Sequence, residues 1–327
     1  MSGFVYQSGA AAYRQLRRGK NRLLNLVDAP VLVLIYHRVA VLPADPHQLA
    51  VSPENFLAQM RFLKQHFPLV RFEDDWAGCG RPAVAVTFDD GYADNFLQAL
   101  PILEELEVPA TFFVSTATLD SQREFWWDDL ERLILTDAPR PQQFQLDDPD
   151  YSRTWPTASV EERGIFHREL QALVEMIGAE RREGWLTQLR AWAGADPAGR
   201  EANRALSHTE LHGLAASPWA TIGAHTITHT PLALLSAEQQ RQEILGSKRV
   251  LESLLDREIR VFSYPFGRRL HYNRDSLRLC REAGFVRAAA NFPGQVHRWT
   301  DPFQIPRQLV RNWDAATFTA KLQGFWA

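Results

Sequence analysis

The sequence has few cysteines, no long apolar segment and no large excess of one charge. Cys79 and Cys280 alone exclude a disulfide framework and a four-cysteine zinc site, and they fit a reducing compartment. The longest strongly apolar run, residues 31–36, is far shorter than the about 20 residues that span a bilayer. A net charge of −3, from 36 basic and 39 acidic residues, argues against a nucleic-acid partner. The hydrophobic fraction of 45% excludes intrinsic disorder as the main state.

The first 28 residues contain no acidic side chain before Asp28 and lack the plan of a signal peptide. Their basic cluster comprises Arg14, Arg17, Arg18, Lys20 and Arg22. Two interpretations are open: a solvated helix face, or a weak peripheral contact with anionic lipid headgroups. We therefore expect a cytoplasmic protein, with any membrane contact peripheral and at the inner face.

Apolar runs alternate with helical patterns along the chain. Five runs are continuous, as strands covered on both faces would be: residues 31–36, 83–88, 110–114, 221–224 and 260–263. Helix signals lie between them at Ser52 with Pro53, at the capping box from Ser236 to Gln239, and over residues 275–283. The alternation predicts parallel β/α architecture.

One long segment, residues 119–218, interrupts this alternation. It has few strand signals, a helical face at residues 170–177, and five tryptophans: Trp126, Trp127, Trp155, Trp185 and Trp192. We predict a largely helical insertion with an exposed loop at residues 147–156. Its aromatic residues either pack the core of a small subdomain or form a sugar-stacking wall over the active site.

Two adjacent carboxylates follow the second apolar run. Asp89 and Asp90 lie in the stretch AVTFDDGY at residues 85–92, where Gly91 lets the backbone turn. In β/α barrels, active sites are built at this end of the strands. Adjacent acids on an extended chain point in different directions, so one can bind a metal while the other handles a proton. The same residues also suit an ordinary turn.

Two histidines four residues apart follow a later apolar run. His225 and His229 lie in the stretch IGAHTITH at residues 222–229. On a helical turn both can reach one divalent ion, although this spacing also arises by chance. With Asp90 they supply two nitrogens and one oxygen. That donor set leaves a coordination position open for water, as in catalytic zinc sites.

Two further strand ends carry candidate groups. The stretch VFSYPFG at residues 261–267 leaves its strand through a proline turn. This turn can direct the Phe266 N–H toward a substrate, or it can form an apolar barrel lid. His37 ends the first strand, where an imidazole can exchange a proton near neutral pH, although a lone histidine is usually structural.

The chain resembles the polysaccharide deacetylase family, carbohydrate esterase family 4. The resemblance lies in three motifs that occur in the family's order: TFDDGY at 87–92, HTITH at 225–229 and YPFG at 264–267. YHRV at 36–39, SPENF at 52–56 and PATFFV at 109–114 look like its bacterial exopolysaccharide branch. The resemblance implies a distorted (β/α)₇ barrel over residues 29–118 and 219–327, with residues 119–218 inserted and residues 1–28 outside it. It also implies removal of N-acetyl, sometimes O-acetyl, groups from amino-sugar polymers.

The resemblance also implies roles for individual residues. The family's metal ligands carry over to Asp90, His225 and His229, and its catalytic base carries over to Asp89. Its oxyanion donor, a backbone N–H in the third motif, falls on Phe266.

The chain departs from the family pattern in two places. Ser263 stands where the family usually has an arginine that holds the base, and Arg307 in QIPR at 304–307 is our candidate for the missing charge. The family's late histidine motif is absent. Branches resembling the poly-N-acetylglucosamine deacetylases place that acid in the first strand, where His37 stands, and the surroundings of His297 do not match the motif.

Other functions remain open from the sequence. A magnesium-dependent phosphoryl-transfer hydrolase would use the aspartate pair, but the paired histidines favour zinc-type chemistry. A non-catalytic carbohydrate-binding protein on the same barrel would also carry these motifs, and so would an O-deacetylase. The expected cofactor is a divalent metal, with Zn²⁺ favoured, and the expected partner is an acetylated amino-sugar glycan.

Overall fold

A computed structural model of the protein describes residues 19, 21, 23–76 and 79–326. The strands are β1 (Val31–Tyr36), β2 (Arg38–Val39), β3 (Ala50–Val51), β4 (Ala83–Phe88), β5 (Ala110–Val114), β6 (Gln143–Asp148), β7 (Tyr151–Pro156), β8 (Ala220–Ala224), β9 (Val261–Ser263), β10 (Arg287–Ala289) and β11 (Gln308–Leu309). The helices are α1 (Pro53–His66), α2 (Leu100–Glu105), α3 (Trp126–Ile134), α4 (Val160–Glu175), α5 (Ala179–Ala193), α6 (His208–Ala216), α7 (Ala237–Leu255), α8 (Arg274–Glu282) and α9 (Ala315–Trp326). A π-helical turn, Asn95–Ala99, precedes α2, and 3₁₀ turns occupy Glu201–Asn203 and Leu232–Leu234.

Seven strands form one parallel sheet in the order β10-β9-β8-β5-β4-β1-β11. The segment 305–309 joins the two edges of this sheet. Ile305 bridges to Ala289 of β10, while β11 pairs with β1 at Leu34 and Ile35. The predicted distorted (β/α)₇ barrel is therefore confirmed.

The strand predictions follow the continuous apolar runs closely. The predicted strands 31–36, 83–88 and 110–114 coincide with β1, β4 and β5. β8 begins one residue before its predicted start, at Ala220, and β9 begins one residue after it, at Val261. β10 and β11 are missing from the prediction, because β11 has only two residues and β10 contains no β-branched or aromatic residue.

Alternate residues of the barrel strands face two hydrophobic cores. Leu32 and Leu34 of β1 belong to the outer core, which also contains Phe56 of α1. Val33 belongs to the inner core of the barrel, together with Phe113 of β5. Because both faces of each strand are covered, the strands appear in the sequence as unbroken apolar runs.

The segment predicted as an insertion has a hydrophobic core of its own. α3, α4, α5 and the hairpin β6–β7 contribute to it, and four of its tryptophans are buried there: Trp126, Trp127, Trp155 and Trp185. Trp192 packs against the edge of this core. Of the two predicted roles, these tryptophans therefore have that of packing a hydrophobic core. Trp126 and Trp127 also line the cavity described below.

The loop predicted at residues 147–156 is wrong. β6 and β7 form an antiparallel hairpin through this segment. Phe144, Leu146 and Trp155 are buried, while residues 152–154 are exposed, as predicted. The polar residues of the exposed face hide the strand pattern in the sequence. The helical face predicted at residues 170–177 falls on α4, which ends at Glu175.

The predicted N-terminal basic cluster, Arg14, Arg17, Arg18, Lys20 and Arg22, lies outside the described residues. Within the part of the chain that the structure describes, no helix has both the length and the apolar character needed to cross a bilayer. The boundaries of the segment 1–28 and of the insertion 119–218 stay predictions.

Gly223→Ala in β8 is expected to destabilise the protein. A Cβ there would lie 2.5 Å from Cδ1 of Phe113 and 3.0 Å from Cγ2 of Val261. Overpacking of this kind costs about 1–3 kcal/mol, and the free energy of unfolding measured in urea should fall accordingly. Gly184→Ala in α5 is the control, because nothing lies within 4 Å of its added Cβ. This change should raise the free energy of unfolding by about 0.5–1 kcal/mol. Equal stability of the two variants would contradict the packing described.

Candidate active site

The residues with candidate chemistry gather where the barrel strands end. Asp89 and Asp90 follow β4, His225 follows β8, and His37 follows β1. Because these strands are parallel, their carboxyl ends meet at one end of the barrel. A cavity of about 230 Å³ lies there, and six of the predicted site residues line it: His37, Asp89, Asp90, His225, His229 and Phe266.

Asp90, His225 and His229 form a buried cluster that suits a metal ion. Oδ1 of Asp90 lies 3.5 Å from Nε2 of His225 and 3.3 Å from Nε2 of His229. One ligand atom from each residue lies within 4.8 Å of the others. A carboxylate oxygen and imidazole lone pairs repel one another unless a proton or a cation lies between them. Two nitrogens and one oxygen therefore fit a shared divalent cation of the zinc type.

The orientation of the His225 ring is fixed by a hydrogen bond on the side away from Asp90. Its Nδ1 lies 2.8 Å from the carbonyl oxygen of Ser263. Because a carbonyl oxygen only accepts, Nδ1 carries the hydrogen, and the lone pair of Nε2 is directed toward Asp90. Outer contacts of this kind orient the ligating imidazoles of metal sites.

Burial and charge set the protonation of this cluster. Burial opposes ionisation of Asp90, but its contacts with His225 and His229 outweigh this effect and hold the pKa of the carboxyl well below its usual value. Burial lowers the pKa of His229 despite the neighbouring carboxylate. Burial also acts to lower the pKa of His225, but the carboxylates of Asp89 and Asp90 outweigh it and raise this pKa. An ionised carboxylate and a neutral imidazole are the forms that bind a metal ion.

The turns that carry the cluster have unusual backbone conformations. Asp90, Thr226 and His229 have φ angles of 77°, 63° and 52°, in the left-handed region. Gly91 follows Asp90 with a φ of 87°, and a Cβ there would lie 2.9 Å from Cγ1 of Val114. Each non-glycine residue in this region costs about 1–3 kcal/mol, so the surroundings must stabilise these turns.

Two residues that the sequence analysis did not single out hold the histidine turn. The Glu243 carboxylate of α7 accepts hydrogen bonds from the backbone N–H groups of Ile227 (2.8 Å) and Thr228 (2.9 Å). It also accepts one from the Thr228 hydroxyl, at 2.7 Å. From the other side, Arg182 of α5 donates to the Thr228 carbonyl oxygen at 2.7 Å. These contacts hold the turn that presents His229.

Asp89 is held by a buried arginine. Nη1 and Nη2 of Arg307 donate to Oδ1 and Oδ2 of Asp89 at 2.7 and 2.6 Å. The Ser263 hydroxyl donates to the same carboxylate at 3.1 Å and accepts from Arg307 at 2.9 Å. Burial raises the pKa of Asp89, but Arg307 outweighs burial and leaves this pKa below its usual value. Arg307 thus binds the carboxylate whose charge it was predicted to balance, and Ser263 contacts both side chains.

His37 lines the cavity beside the aspartates. Burial lowers its pKa, while the charges of Asp90 and Asp89 act in the opposite direction. Its Nδ1 is buried and has no hydrogen-bond partner among the described residues. The geometry leaves this imidazole free to contact a ligand in the cavity.

Phe266 lies at the centre of a tight turn. The N–H of Gly267 donates to the Pro265 carbonyl oxygen at 2.6 Å, which closes a γ-turn around Phe266. Phe266 has a φ of 58°, and its ring packs 4.8 Å from that of His229. No described residue accepts a hydrogen bond from its backbone N–H. That donor therefore remains available at the cavity.

Several residues that line the cavity were not singled out from the sequence: His47, Gln171, Glu175, Arg268, His271 and Asn291. None of them lies in an apolar run followed by a turn, which was the signal for the other residues. Gln171 and Glu175 are ordinary polar positions of a helical pattern. The proximity of Arg268 and His271 to the third motif was a signal that the sequence contained.

Comparisons with known proteins bear on this geometry. The family model described as Polysaccharide deacetylase matches residues 78–138 and 197–288. YxkH of Bacillus subtilis strain 168, which is named for the same family, is 20% identical over 291 residues. The aligned region covers 86% of this chain and 72% of YxkH.

Solved structures share the fold, IcaB and PplD among them. IcaB from Ammonifex degensii has a TM-score of 0.58 at 19% identity, over 91% of this chain and 98% of that chain. The Streptococcus pyogenes deacetylase PplD, solved in complex with acetate, has a TM-score of 0.56 at 16% identity. The match covers 91% of this chain and 99% of PplD. At these identities the similarity concerns the fold.

Arg307→Met is expected to destabilise the protein strongly. The Asp89 carboxylate would stay buried without its partner, which costs about 3–5 kcal/mol in the free energy of unfolding. Arg281→Met is the control, because Arg281 and Asp301 form an exposed pair with side chains 47% and 35% accessible. That change should cost less than about 1 kcal/mol. Denaturant titrations at neutral pH measure the free energy of unfolding of both variants. Similar losses of stability in the two would contradict the burial of the pair between Arg307 and Asp89.

Glu243→Gln is expected to weaken the binding of a divalent ion. An amide in place of the carboxylate cannot accept all three hydrogen bonds that hold the turn of His229, so Zn²⁺ affinity should fall about ten- to a hundredfold. Competition with a chromophoric chelator measures the affinity. Glu238→Gln on the same helix is the control, because Glu238 is 71% exposed. Equal Zn²⁺ affinity of the two variants would refute the role of Glu243.

Proposed function

This chain carries a polysaccharide deacetylase domain, and on that premise we propose that it removes N-acetyl groups from an amino-sugar-containing glycan or glycoconjugate with a divalent metal as cofactor. One observation carries the proposal. Asp89, Asp90, His225 and His229, which come from distant parts of the chain, line a single cavity at the carboxyl ends of parallel strands. The acetate in the PplD structure is consistent with a site of this fold that accommodates an acetyl group.

Asp90, His225 and His229 are the residues that would hold the metal. When bound there, a divalent ion supplies Lewis acidity, which polarises an acetyl carbonyl and acidifies water. The nitrogen-rich donor set favours Zn²⁺ over Mg²⁺, which prefers oxygen ligands. This composition argues against magnesium-dependent phosphoryl transfer.

Asp89 is our proposed general base. Arg307 keeps its carboxylate ionised, and its two oxygens are fixed by Arg307 and Ser263. In this position the carboxylate takes a proton from the water that attacks the acetyl carbon. Among the described residues that line the cavity, Asp89 is the one to which Arg307 donates hydrogen bonds, so we assign Arg307 a positioning role.

Phe266 and His37 complete the proposed reaction. The Phe266 N–H donates to the carbonyl oxygen as negative charge develops on it. His37 donates a proton to the sugar nitrogen as the carbon–nitrogen bond breaks, so that the nitrogen leaves as an amine. The products are acetate and a free amino sugar. An O-acetyl group would react in the same way with an alcohol as the leaving group.

The proposed function predicts acetate release from N-acetylated chitooligosaccharides. Asp89→Asn should retain the metal, because the three ligands are unchanged, and should lose about 10²–10⁴ in rate. Asp150→Asn, at a side chain that is 82% exposed, is the control. A chelator should abolish acetate release and added Zn²⁺ should restore it. Coupled detection of acetate and elemental analysis of the metal give the two readouts.

Each contrary result of this assay has a definite meaning. Glycan binding without acetate release by the wild type would favour a non-catalytic carbohydrate-binding protein. Unchanged acetate release by Asp89→Asn would refute the assignment of the base. Acetate release from O-acetylated sugars alone would favour an O-deacetylase.

A further inference from the structure

One wall of the active-site cavity comes from the insertion. Gln171 and Glu175 of α4 line the cavity together with the aspartates and histidines of the barrel. Both residues lie in the segment 139–196, between the two stretches that the family model matches. This wall is therefore built from the part of the chain that the family comparison does not describe.

α4 holds these two side chains in a fixed place. Its first turn is closed by a capping box between Ser159 and Glu162. Phe166, Leu170 and Val174 are buried in the core of the insertion and anchor the helix. Gln171 and Glu175 are separated by one helical turn, so their side chains are neighbours on the helix surface. A site on a packed helix is better positioned than one on a loop.

Each of the two side chains meets a histidine of the barrel loops. Oε1 of Glu175 lies 3.4 Å from Nε2 of His271, and Nε2 of Gln171 lies 3.4 Å from Nδ1 of His47. The backbone N–H of Arg268 donates to Nδ1 of His271 at 3.3 Å, so Nε2 of that ring carries the hydrogen that faces Glu175. These contacts orient both side chains at the cavity.

Most of the hydrogen-bonding capacity of this wall is unused. A carboxylate can accept about four hydrogen bonds, and among the described residues Glu175 has only His271 as a partner. The Gln171 carbonyl oxygen has no protein donor among the same residues. In addition, Nε2 of His47 and Nδ1 of His37 are buried and have no partner within the part of the chain that the structure describes. Both residues line the cavity. Buried polar atoms normally have partners, so this cavity is suited to a polar ligand.

We propose that Gln171 and Glu175 form a hydroxyl-binding subsite for the sugar ring that carries the acetyl group. This inference rests on the proposed function and names its substrate class as a neutral N-acetylated sugar. Sugar hydroxyls both donate and accept, which matches an acceptor-only carboxylate beside a carboxamide. Trp126 and Trp127 add apolar surface to the same cavity, as is usual for small-ligand sites. A sugar with a carboxylate or phosphate at this position would be repelled by Glu175.

Two substrates that differ in their hydroxyl groups test the subsite. Glu175→Ala and Gln171→Ala are assayed on an N-acetylated chitooligosaccharide and on an aryl acetate ester, which has no sugar ring. On the glycan, kcat/KM of Glu175→Ala should fall about ten- to a hundredfold, mainly through KM, because a hydrogen bond to a charged group is lost. For Gln171→Ala the fall should be about two- to tenfold, because the amide is neutral. On the ester kcat/KM should stay within about twofold. Glu175→Gln should recover part of the loss. Glu161→Gln, an exposed carboxylate of the same helix, is the control.

The outcomes separate the subsite from the proposed function. Equal losses on both substrates, or no loss on either, would overturn the subsite while deacetylation itself stands. Glycan binding to the Asp89→Asn variant, measured by calorimetry with and without Glu175→Ala, gives a readout independent of turnover. If Glu175→Ala weakens glycan binding in the Asp89→Asn background, the subsite is supported. This holds even if the wild type releases no acetate, because the lack of acetate release would refute only the proposed function. Unchanged binding would refute the subsite.

Discussion

The buried ion pair between Arg307 and Asp89 is the interaction on which the active end of the barrel depends. Asp89 directly follows β4, and Arg307 belongs to the segment that joins the two edges of the sheet. The side chains are 0% and 5% exposed, and Arg307 also donates to the Ala290 carbonyl oxygen beyond β10. Two charges withdrawn from water are stable only in good mutual geometry. The pair therefore fixes the end of β4 against the closing segment and keeps Asp89 ionised.

A second constraint is the strained backbone around the cluster of Asp90, His225 and His229. Asp90, Thr226 and His229 have left-handed conformations that L-residues rarely adopt. Such conformations persist only where their surroundings stabilise them. Glu243 from an outer helix and Arg182 from the insertion bind the same turn from two sides. The position of an imidazole at the barrel end thus depends on elements outside the sheet.

The segment predicted as an insertion lines the candidate active site and also has a hydrophobic core of its own. Trp127 packs 4.8 Å from the ring of His229, and its indole N–H donates to the Tyr92 hydroxyl at 2.7 Å. Tyr92 in turn donates to Asp128 at 2.7 Å, and burial raises the pKa of that carboxyl to about 8. These contacts join α3 to the loop after β4. The aromatic residues that build the core of the insertion therefore also support the barrel turn that carries His229.

The amino-acid sequence alone was enough to predict the central strands and the residues at their ends, because burial on both faces leaves an apolar run that can be recognised locally. Parallel pairing then brings Asp89, Asp90 and His225 to one end of the barrel. The contact between Arg307 and Asp89, which lie 218 positions apart along the chain, is visible only in the folded protein. The tertiary structure alone also showed the hairpin at 143–156 and the wall formed by α4. The physical reason is that periodicity records the burial of each residue, whereas contacts between distant segments depend on how whole elements pack.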